Sequence, residues 1–439
     1  MYGITRLGVL LLSLGVAGCG GETPVPTGPE GPEGPEEVTL KVDKGVDLEK
    51  KVIKIGTLDD LSGPAATISK PFANGKRLLA ARINAGGSGM LPEGWKVELI
   101  ERDHGYNPTK SVAAYNEIKE DVLFIGTSFG TPNTLPLRPL LEQDGLAAFP
   151  ASLSSQMAAH LHTPPLGPAY ELEARRAADW IAATAGEDAK LGIVYQKDDY
   201  GEDGLLGFKA GAAHHGMTIV SEQTIAAGQK DFAAVVIGLK GAGATHVMMT
   251  TLPSATGPIL GTAAQLEYMP VWVGNTPAWI DKFFVPEVIP SVVFTNYHQM
   301  NGLPFWGEPV PGMDDFLKAW ETHGTDMGDP DSYTVWSYIQ GMVQIEAARR
   351  AIEGGDITRA GYMKALHSID GWDAGGMFQP LTLSGFPYVV GTKTRVLKPD
   401  FESKSWTVAA DYAVAQSVPA ASEGAGAADA PKEGAEGGE

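Results

Sequence analysis

Two patterns of apolar residues alternate along the chain. Short apolar runs rich in β-branched residues predict strands at residues 52–58, 97–100 and 122–125. Apolar residues at helical spacing predict helices that begin near Pro71 and at Pro108, because proline is tolerated in a first helical turn. Strands that alternate with helices favour a parallel sheet with right-handed crossovers.

The same alternation starts again after a proline-rich break at residues 163–168. Residues 51–410 are more than one core usually organises, so we expect two α/β domains, each with a doubly wound parallel sheet. Ligands of such sheets bind outside the carboxyl ends of the strands, which predicts a cleft between the domains. The second set of strands is expected at residues 191–195, 217–220, 246–249 and 271–273, with helices at 170–184, 203–215 and 256–266 and mainly helical structure over 314–367.

The first residues are typical of an exported protein. Arg6 precedes an apolar run at residues 7–16, which is too short for a permanent membrane helix and predicts a signal peptide over residues 1–18. The run ends in Val16-Ala17-Gly18-Cys19, which resembles a bacterial lipobox. Cys19 is the only cysteine of the chain, and we expect it to carry a lipid that anchors the protein to a membrane.

Both ends of the chain have compositions that do not build a core. Residues 19–50 contain Pro-Glu-Gly repeats and predict an extended tether, and residues 411–439 predict a disordered acidic Ala/Gly tail. These ends carry about half of the net charge of −20, so the folded part is only moderately acidic. The lack of a basic patch argues against nucleic-acid binding.

Several local motifs together resemble the branched-chain amino-acid type of periplasmic binding protein, the leucine/isoleucine/valine-binding family of ABC importers. The resemblance spans nearly all of residues 52–408. It rests on these landmarks in order: Ile55-Gly56-Thr57-Leu58, Leu61-Ser62-Gly63-Pro64, Ile83-Asn84-Ala85-Gly86-Gly87, Asp103 with Pro108, Ile125-Gly126, Val194-Tyr195 with Asp198-Asp199-Tyr200-Gly201, and Val271-Trp272-Val273-Gly274.

The resemblance implies a type I periplasmic-binding-protein fold, in which two lobes close on a small organic solute and dock on an ABC permease in the inner membrane. It places the protein in the periplasm or on another extracytoplasmic face. Lobe 1 is expected to comprise residues 51–167 and 298–375, and lobe 2 residues 168–297 and 376–410. The chain would cross between the lobes near residues 165–170, 295–300 and 372–381.

The family's ligand contacts correspond to loops at the expected cleft. The resemblance implies that the loop after the third strand and the loop after the next strand bind the acid end of a ligand, and that second-lobe residues line the opposite wall. The alternative is that these hydroxyls only cap helices and that Tyr200 is a turn residue. The candidates are Ser128, Phe129, Gly130, Thr131, Ala151 and Ser152 in lobe 1, and Tyr200, Thr250, Asn275 and Thr276 in lobe 2.

One loop departs from the family pattern. Amino-acid receptors of this family place an acidic residue just after the position of Gly274, to pair with the ligand's ammonium group, whereas this chain has Asn275 and Thr276. A desolvated ammonium without a counter-charge is costly. We therefore expect an uncharged or acidic ligand with an apolar body.

Two alternative functions, a serine hydrolase and a ligand sensor, also fit features of this sequence. Gly126-Thr127-Ser128-Phe129-Gly130 matches the G-x-S-x-G motif of serine hydrolases, with His323 or His367 as the late histidine. An extracytoplasmic sensor subunit would use the same fold and cleft as a transport receptor. No nucleotide-binding motif and no metal-ligand spacing is present, so no cofactor and no metal are expected.

Overall fold

The computed structural model describes residues 40–186 and 189–417. The predicted signal peptide, Cys19 and most of the predicted tether lie outside the described residues, as do residues 418–439. Within the described chain there are two lobes, each built on its own sheet. The expected two-lobed α/β architecture is therefore confirmed.

The first lobe contains a five-stranded, mainly parallel sheet. Its strands are β1 (Val46–Asp47), β2 (Val52–Asp59), β3 (Lys96–Asp103), β4 (Phe124–Phe129) and β5 (Ala148–Ala151). Strand β2 pairs in parallel with β3 on one side and β4 on the other, and β5 follows β4. Every residue of β4 is buried, as a continuous run of a central parallel strand requires.

The second lobe contains a seven-stranded sheet in the order β12-β11-β10-β9-β8-β6-β7. Strands β6 to β10 are parallel, and β11 and β12 extend the sheet in antiparallel fashion. The strands are β6 (Lys190–Gln196), β7 (Thr218–Ile225), β8 (His246–Thr250), β9 (Val271–Gly274), β10 (Tyr297–Asn301), β11 (Lys393–Asp400) and β12 (Ser405–Val414).

Helices cover the faces of both sheets. They are α1 (Ala66–Asn84), α2 (Pro108–Ile118), α3 (Thr131–Thr134), α4 (Arg138–Asp144), α5 (Ser155–Ala158), α6 (Tyr170–Ala185), α7 (Asp199–His214), α8 (Ala233–Gly241), α9 (Pro253–Gln265), α10 (Met313–His323), α11 (Ser332–Glu353) and α12 (Arg359–Leu366). Helices α1 and α11 lie side by side in the first lobe. Glycine permits this close approach, because a Cβ at Gly75 would lie 2.4 Å from the carbonyl oxygen of Thr334.

Two of the three crossings between the lobes differ from the expected positions. Residues 298–301 were expected in lobe 1, but they belong to β10, which pairs with β9 of the second sheet. The second crossing therefore follows Asn301. Tyr388 still bonds to the first lobe through the carbonyl oxygens of Ala158 and Leu161, so the third crossing lies between Tyr388 and Lys393, after the expected residues 372–381. The positions of these two crossings depend on contacts with distant parts of the chain, which the local sequence does not encode.

Two helices begin earlier than expected. The Asp60 carboxylate accepts hydrogen bonds from the amides of Gly63 and Ala65, at 2.5 and 2.8 Å, and α1 starts at Ala66 with Pro71 inside it. The side chain of Asp198 caps α7, which starts at Asp199 instead of residue 203. For α7 the capping aspartate was the overlooked signal, whereas Asp60 bonds to the turn that precedes α1 and does not cap that helix.

The folded part also extends beyond both expected boundaries. The amide of Lys41 donates to the carbonyl oxygen of Gly355, and the short strand β1 pairs with β2, so the end of the predicted tether packs on the first lobe. Residues 411–414, expected in the disordered tail, belong to edge strand β12. There the Tyr412 ring lies 4.8 Å from the Arg395 guanidinium, a contact that favours order.

Candidate functional site: a cavity between the lobes

A small cavity of about 50 Å³ lies at the carboxyl ends of the strands, where the two lobes meet. Phe129 and Ala151 reach it from the ends of β4 and β5, and Thr276 reaches it from the loop after β9. Most of its wall is apolar. The lining residues are Ile68, Phe72, Phe129, Pro150, Ala151, Ser152, Leu153, Leu166, Tyr170, Thr276, Pro277, Leu303, Tyr333, Trp336 and Gln340.

The lobes are in contact around this cavity. The Tyr333 hydroxyl on α11 donates to the carbonyl oxygen of Thr276 at 3.1 Å, and the Ser254 hydroxyl on α9 donates to the carbonyl oxygen of Pro64 at 3.0 Å. The side-chain amide nitrogen of Gln196 donates to the Tyr106 hydroxyl at 3.3 Å. Because each bond joins one lobe to the other, this is a closed conformation.

The loop after β4 is tied together by hydroxyl groups. The Ser128 hydroxyl pairs with the Thr134 hydroxyl at 2.8 Å, and Thr134 also donates to the carbonyl oxygen of Gly130 at 2.9 Å. Gly130 has φ +88°, and a Cβ there would meet the Asn133 amide at 2.7 Å. Ser128 and Gly130 thus shape the loop, while Phe129 is the residue that lines the cavity.

The loop after β5 contributes a second hydroxyl pair. The Thr131 and Ser152 hydroxyls lie 2.7 Å apart, and the Ser152 oxygen accepts from the Ser154 amide at 3.2 Å. Ser152 and Ala151 line the cavity, and Thr131 lies behind Ser152. A ligand in the cavity would therefore meet Ser152, with Thr131 as its supporting partner.

Three of the four second-lobe candidates lie outside the cavity wall. The Tyr200 hydroxyl donates to the Asn275 side-chain oxygen at 2.8 Å and contacts the Thr251 carbonyl oxygen at 3.1 Å. The Thr250 hydroxyl is buried and has no hydrogen-bond partner within the described residues. Of this group, Thr276 lines the cavity, whereas Tyr200, Thr250 and Asn275 lie outside its lining.

Sequence reasoning missed an acid in this region. The carboxylate of Glu173, on α6, accepts from the Thr276 amide at 2.9 Å and from the Thr276 hydroxyl. Glu173 is fully buried, and burial raises the pKa of its carboxyl to about 8. Its position more than 100 residues before Thr276 gave no local signal. Because both carboxylate oxygens contact Thr276 and Glu173 does not line the cavity, it is not an open counter-charge for a ligand.

The hydrolase alternative does not fit this geometry. A nucleophile elbow places its serine on the turn after a strand, whereas Ser128 is a residue of β4 paired with Leu58 and Pro150. The Ser128 hydroxyl pairs with Thr134, and the His367 ring bonds to the Tyr388 hydroxyl at 2.9 Å. The histidine and serine of the proposed pair therefore have other partners.

No group of three or more His, Cys, Asp or Glu residues in the described part of the chain is arranged to hold a metal ion. No helix in residues 40–186 or 189–417 is both long and apolar enough to cross a membrane.

Comparisons with known proteins agree with the fold. A family model described as "Periplasmic binding protein" matches residues 52–386. The chain is 28% identical over 203 residues to Leu/Ile/Val-binding protein homolog 3 of Brucella melitensis, covering 44% of this chain and 53% of that protein. The chain spans about half the length of the first curated relatives it matches.

Solved structures share the fold over most of their length. A fatty acid ABC transporter substrate-binding protein from Thermomonospora curvata aligns with a TM-score of 0.79 and 22% identity, covering 86% of this chain and 96% of that one. A branched-chain amino acid ABC transporter protein from Thermus thermophilus with bound valine aligns with a TM-score of 0.74 and 17% identity, covering 84% and 98%. The expected type I periplasmic-binding-protein fold is confirmed.

Proposed function

Because the chain belongs to the periplasmic binding protein family, we propose that it is the extracytoplasmic solute-binding receptor of an ABC-type importer. The observation that carries this proposal is the cavity between the lobes at the strand ends, whose wall combines Phe129 and Ser152 of one lobe with Thr276 and Pro277 of the other. A solute held there contacts both lobes at once.

Such contacts explain how binding would change the protein's conformation. A ligand shifts an equilibrium only by its difference in affinity for the two states. Since the cavity wall is complete only when the lobes meet, a solute would bind the closed form more tightly than the open form. We propose that a permease recognises this closed form, in which both lobes present their surfaces together.

The ligand we propose is a small neutral or acidic solute with an apolar body. The apolar lining supports the body, and Ser152 and Thr276, from opposite lobes, supply polar groups in the wall. None of the residues that line the cavity carries a carboxylate, so an ammonium group would be buried there without a counter-charge.

A melting-temperature screen tests the receptor function. The full chain would be heated with amino acids, amides, dicarboxylates, and aliphatic and aromatic monocarboxylates. A binder at ~100 times its dissociation constant adds ~2.7 kcal/mol to the folded state, which raises the melting temperature by several degrees. The absence of a shift with every solute would contradict the proposal.

A pair of variants locates the binding site in this screen. Ala151→Phe places a ring in the cavity and should abolish the shift. Val288→Phe adds similar bulk at a residue that is 47% exposed and should leave the shift unchanged. Equal shifts in both variants would place the solute elsewhere on the molecule.

We further propose that lipid on Cys19 anchors the receptor to a membrane. The protein expressed in a bacterial host with labelled fatty acid should incorporate the label and sediment with membranes. Cys19→Ser should lose the label, because its hydroxyl cannot replace the thiol in lipidation. A labelled Cys19→Ser protein, or an unlabelled mature form that begins at another residue, would contradict the anchor.

A further inference from the structure

A lysine is buried beside the cavity, where helix α1 packs on α11. Lys76 is 4% exposed, and its ammonium nitrogen donates to the carbonyl oxygen of Ser337 and to the side-chain oxygen of Gln340, both at 2.9 Å. The same nitrogen lies 5.5 Å from the centre of the Phe72 ring. Phe72 and Gln340 both line the cavity, so Lys76 lies one residue behind its wall.

The charge of Lys76 has no partner in contact. An ammonium group has three donors, and two are used by neutral oxygens. Lys76 forms no salt bridge with any carboxylate of the described residues. Burial lowers the pKa of Lys76 well below its usual range, and the nearby negative charge of Asp59 opposes this effect. A carboxylate in the cavity would raise that pKa again.

Lys76 also sets the orientation of the Gln340 side-chain amide. Lys76 is a donor only, so Gln340 must turn its oxygen towards Lys76. The amide nitrogen of Gln340 then points the other way and donates to the carbonyl oxygen of Pro150 at 2.9 Å. One of its two hydrogens is used in this bond, which leaves one donor at a residue of the cavity wall.

The cavity therefore has hydrogen-bond donors on one side, with the Lys76 amine behind them, and apolar surface elsewhere. Its volume of about 50 Å³ holds roughly three to five water-sized groups, since one water needs ~10–15 Å³ by the same measure. The apolar part of the wall includes Ile68, Leu166 and Trp336. A short hydrocarbon chain that ends in an acceptor group matches both features.

Building on the receptor function proposed above, we propose that the cavity selects short-chain aliphatic monocarboxylates, with Lys76 as the positioning residue that orients Gln340 and supplies the positive charge. The carboxylate accepts from the free amide hydrogen of Gln340 and from Ser152. The acid is favoured over its uncharged primary amide, because only the acid gains from the lysine's charge.

The test compares acids with their isosteric amides. Butanoate and 3-methylbutanoate, and butanamide and 3-methylbutanamide, are titrated calorimetrically into the full chain, Lys76→Met and Lys70→Met. The methionine at position 76 keeps an unbranched side chain of similar length, and Lys70 is an exposed lysine of the same helix.

We expect the unmodified protein to prefer each acid by about 10-fold or more. In Lys76→Met this preference should disappear through loss of acid affinity alone, and in Lys70→Met it should remain.

Other outcomes of these titrations would overturn the inference or separate it from the proposed receptor function. Equal loss of acid and amide affinity in Lys76→Met would show a purely structural lysine and overturn the inference, as would equal binding of acid and amide to the unmodified protein. If Lys76→Met fails to fold, Lys76→Gln keeps a hydrogen-bond donor without the charge and should abolish the preference, and an unchanged preference there would overturn the inference. If neither the acids nor the amides bind while another solute of the melting screen does, the acid inference fails and the receptor function stands. If no solute binds, both fail.

Discussion

At the scale of single residues, buried polar groups around the cleft bond to one another. Ser128 pairs with Thr134, Thr131 with Ser152, and Tyr200 with Asn275. Buried polar groups are costly when unpaired, so these pairs hold their loops in place. The loops can then present only a few groups to a ligand, and those groups determine what the cavity accepts.

Glu173 makes stability depend on pH. Its pKa is raised to about 8 in the folded protein, so its contribution to stability is fully present below its ordinary pKa of 4.5 and is lost as the pH rises towards 8. Glu173→Gln imitates the protonated acid, with its oxygen facing the Thr276 amide and its nitrogen facing the Thr276 hydroxyl. We expect the unfolding free energy of the variant, measured relative to that of the unmodified protein, to rise by ~1.4 kcal/mol for each pH unit in this range.

Denaturant unfolding between pH 5 and 9 checks this expectation. The exposed Glu321→Gln serves as the control and should follow the unmodified protein at every pH. Stability curves of Glu173→Gln that run parallel to the unmodified protein across the range would mean that Glu173 is ionised in the folded state near neutral pH.

The charge of the cavity also leads to a prediction about amino acids. Leucine, isoleucine and valine should bind poorly, because their ammonium group would lose its hydration in a wall that lacks a carboxylate. Glu173 is close, but both of its oxygens already contact Thr276. Calorimetry with the unmodified protein measures this directly. Leucine binding with a micromolar or lower dissociation constant would show that an acid reaches the ligand after all.

At the scale of elements, the contact between α1 and α11 sets the first-lobe wall of the cavity. Phe72 and Lys76 lie on α1, and Tyr333, Trp336 and Gln340 lie on α11. These residues keep their relative positions only if the two helices stay close. The close contact at Gly75 is therefore linked to the shape of the cavity.

Gly75→Ala should separate these helices. Its Cβ would lie 2.4 Å from the Thr334 oxygen and 2.6 Å from the Ser337 Cβ, so the helices must move apart. We expect the unfolding free energy to fall by ~1–3 kcal/mol. Gly261→Ala on α9 is the matched control, because nothing lies within 4 Å of its added methyl group. There alanine should stabilise the helix by ~0.5–1 kcal/mol. Equal unfolding free energies for both variants would contradict the tight contact.

Local patterns in the sequence predicted most elements but not their long-range partners. The apolar runs located β2, β6, β8 and β9 to within one or two residues, because burial on both faces leaves a clear signal. The family resemblance, and not a local pattern, suggested the ten candidate residues, of which Phe129, Ala151, Ser152 and Thr276 line the cavity. Lys76, Gln340 and Glu173 were not identified, since they act through contacts with residues more than 100 positions away in the sequence.

At the scale of the whole molecule, the proposed capture of a solute depends on movement of the lobes. Contacts such as Tyr333 with Thr276 and Ser254 with Pro64 exist only while the cleft is closed. Each hydrogen bond is worth only ~1 kcal/mol, so the empty protein can open and a bound solute can shift the balance. We propose that the three chain crossings form the hinge about which the lobes turn.

Small-angle X-ray scattering of the full chain, without solute and with a saturating amount of the solute that gives the largest melting shift, tests this central claim most directly. The account predicts that the solute lowers the radius of gyration, because it favours the closed form over a population that includes open molecules. Scattering curves that superimpose with and without saturating solute would contradict capture by closure of the lobes.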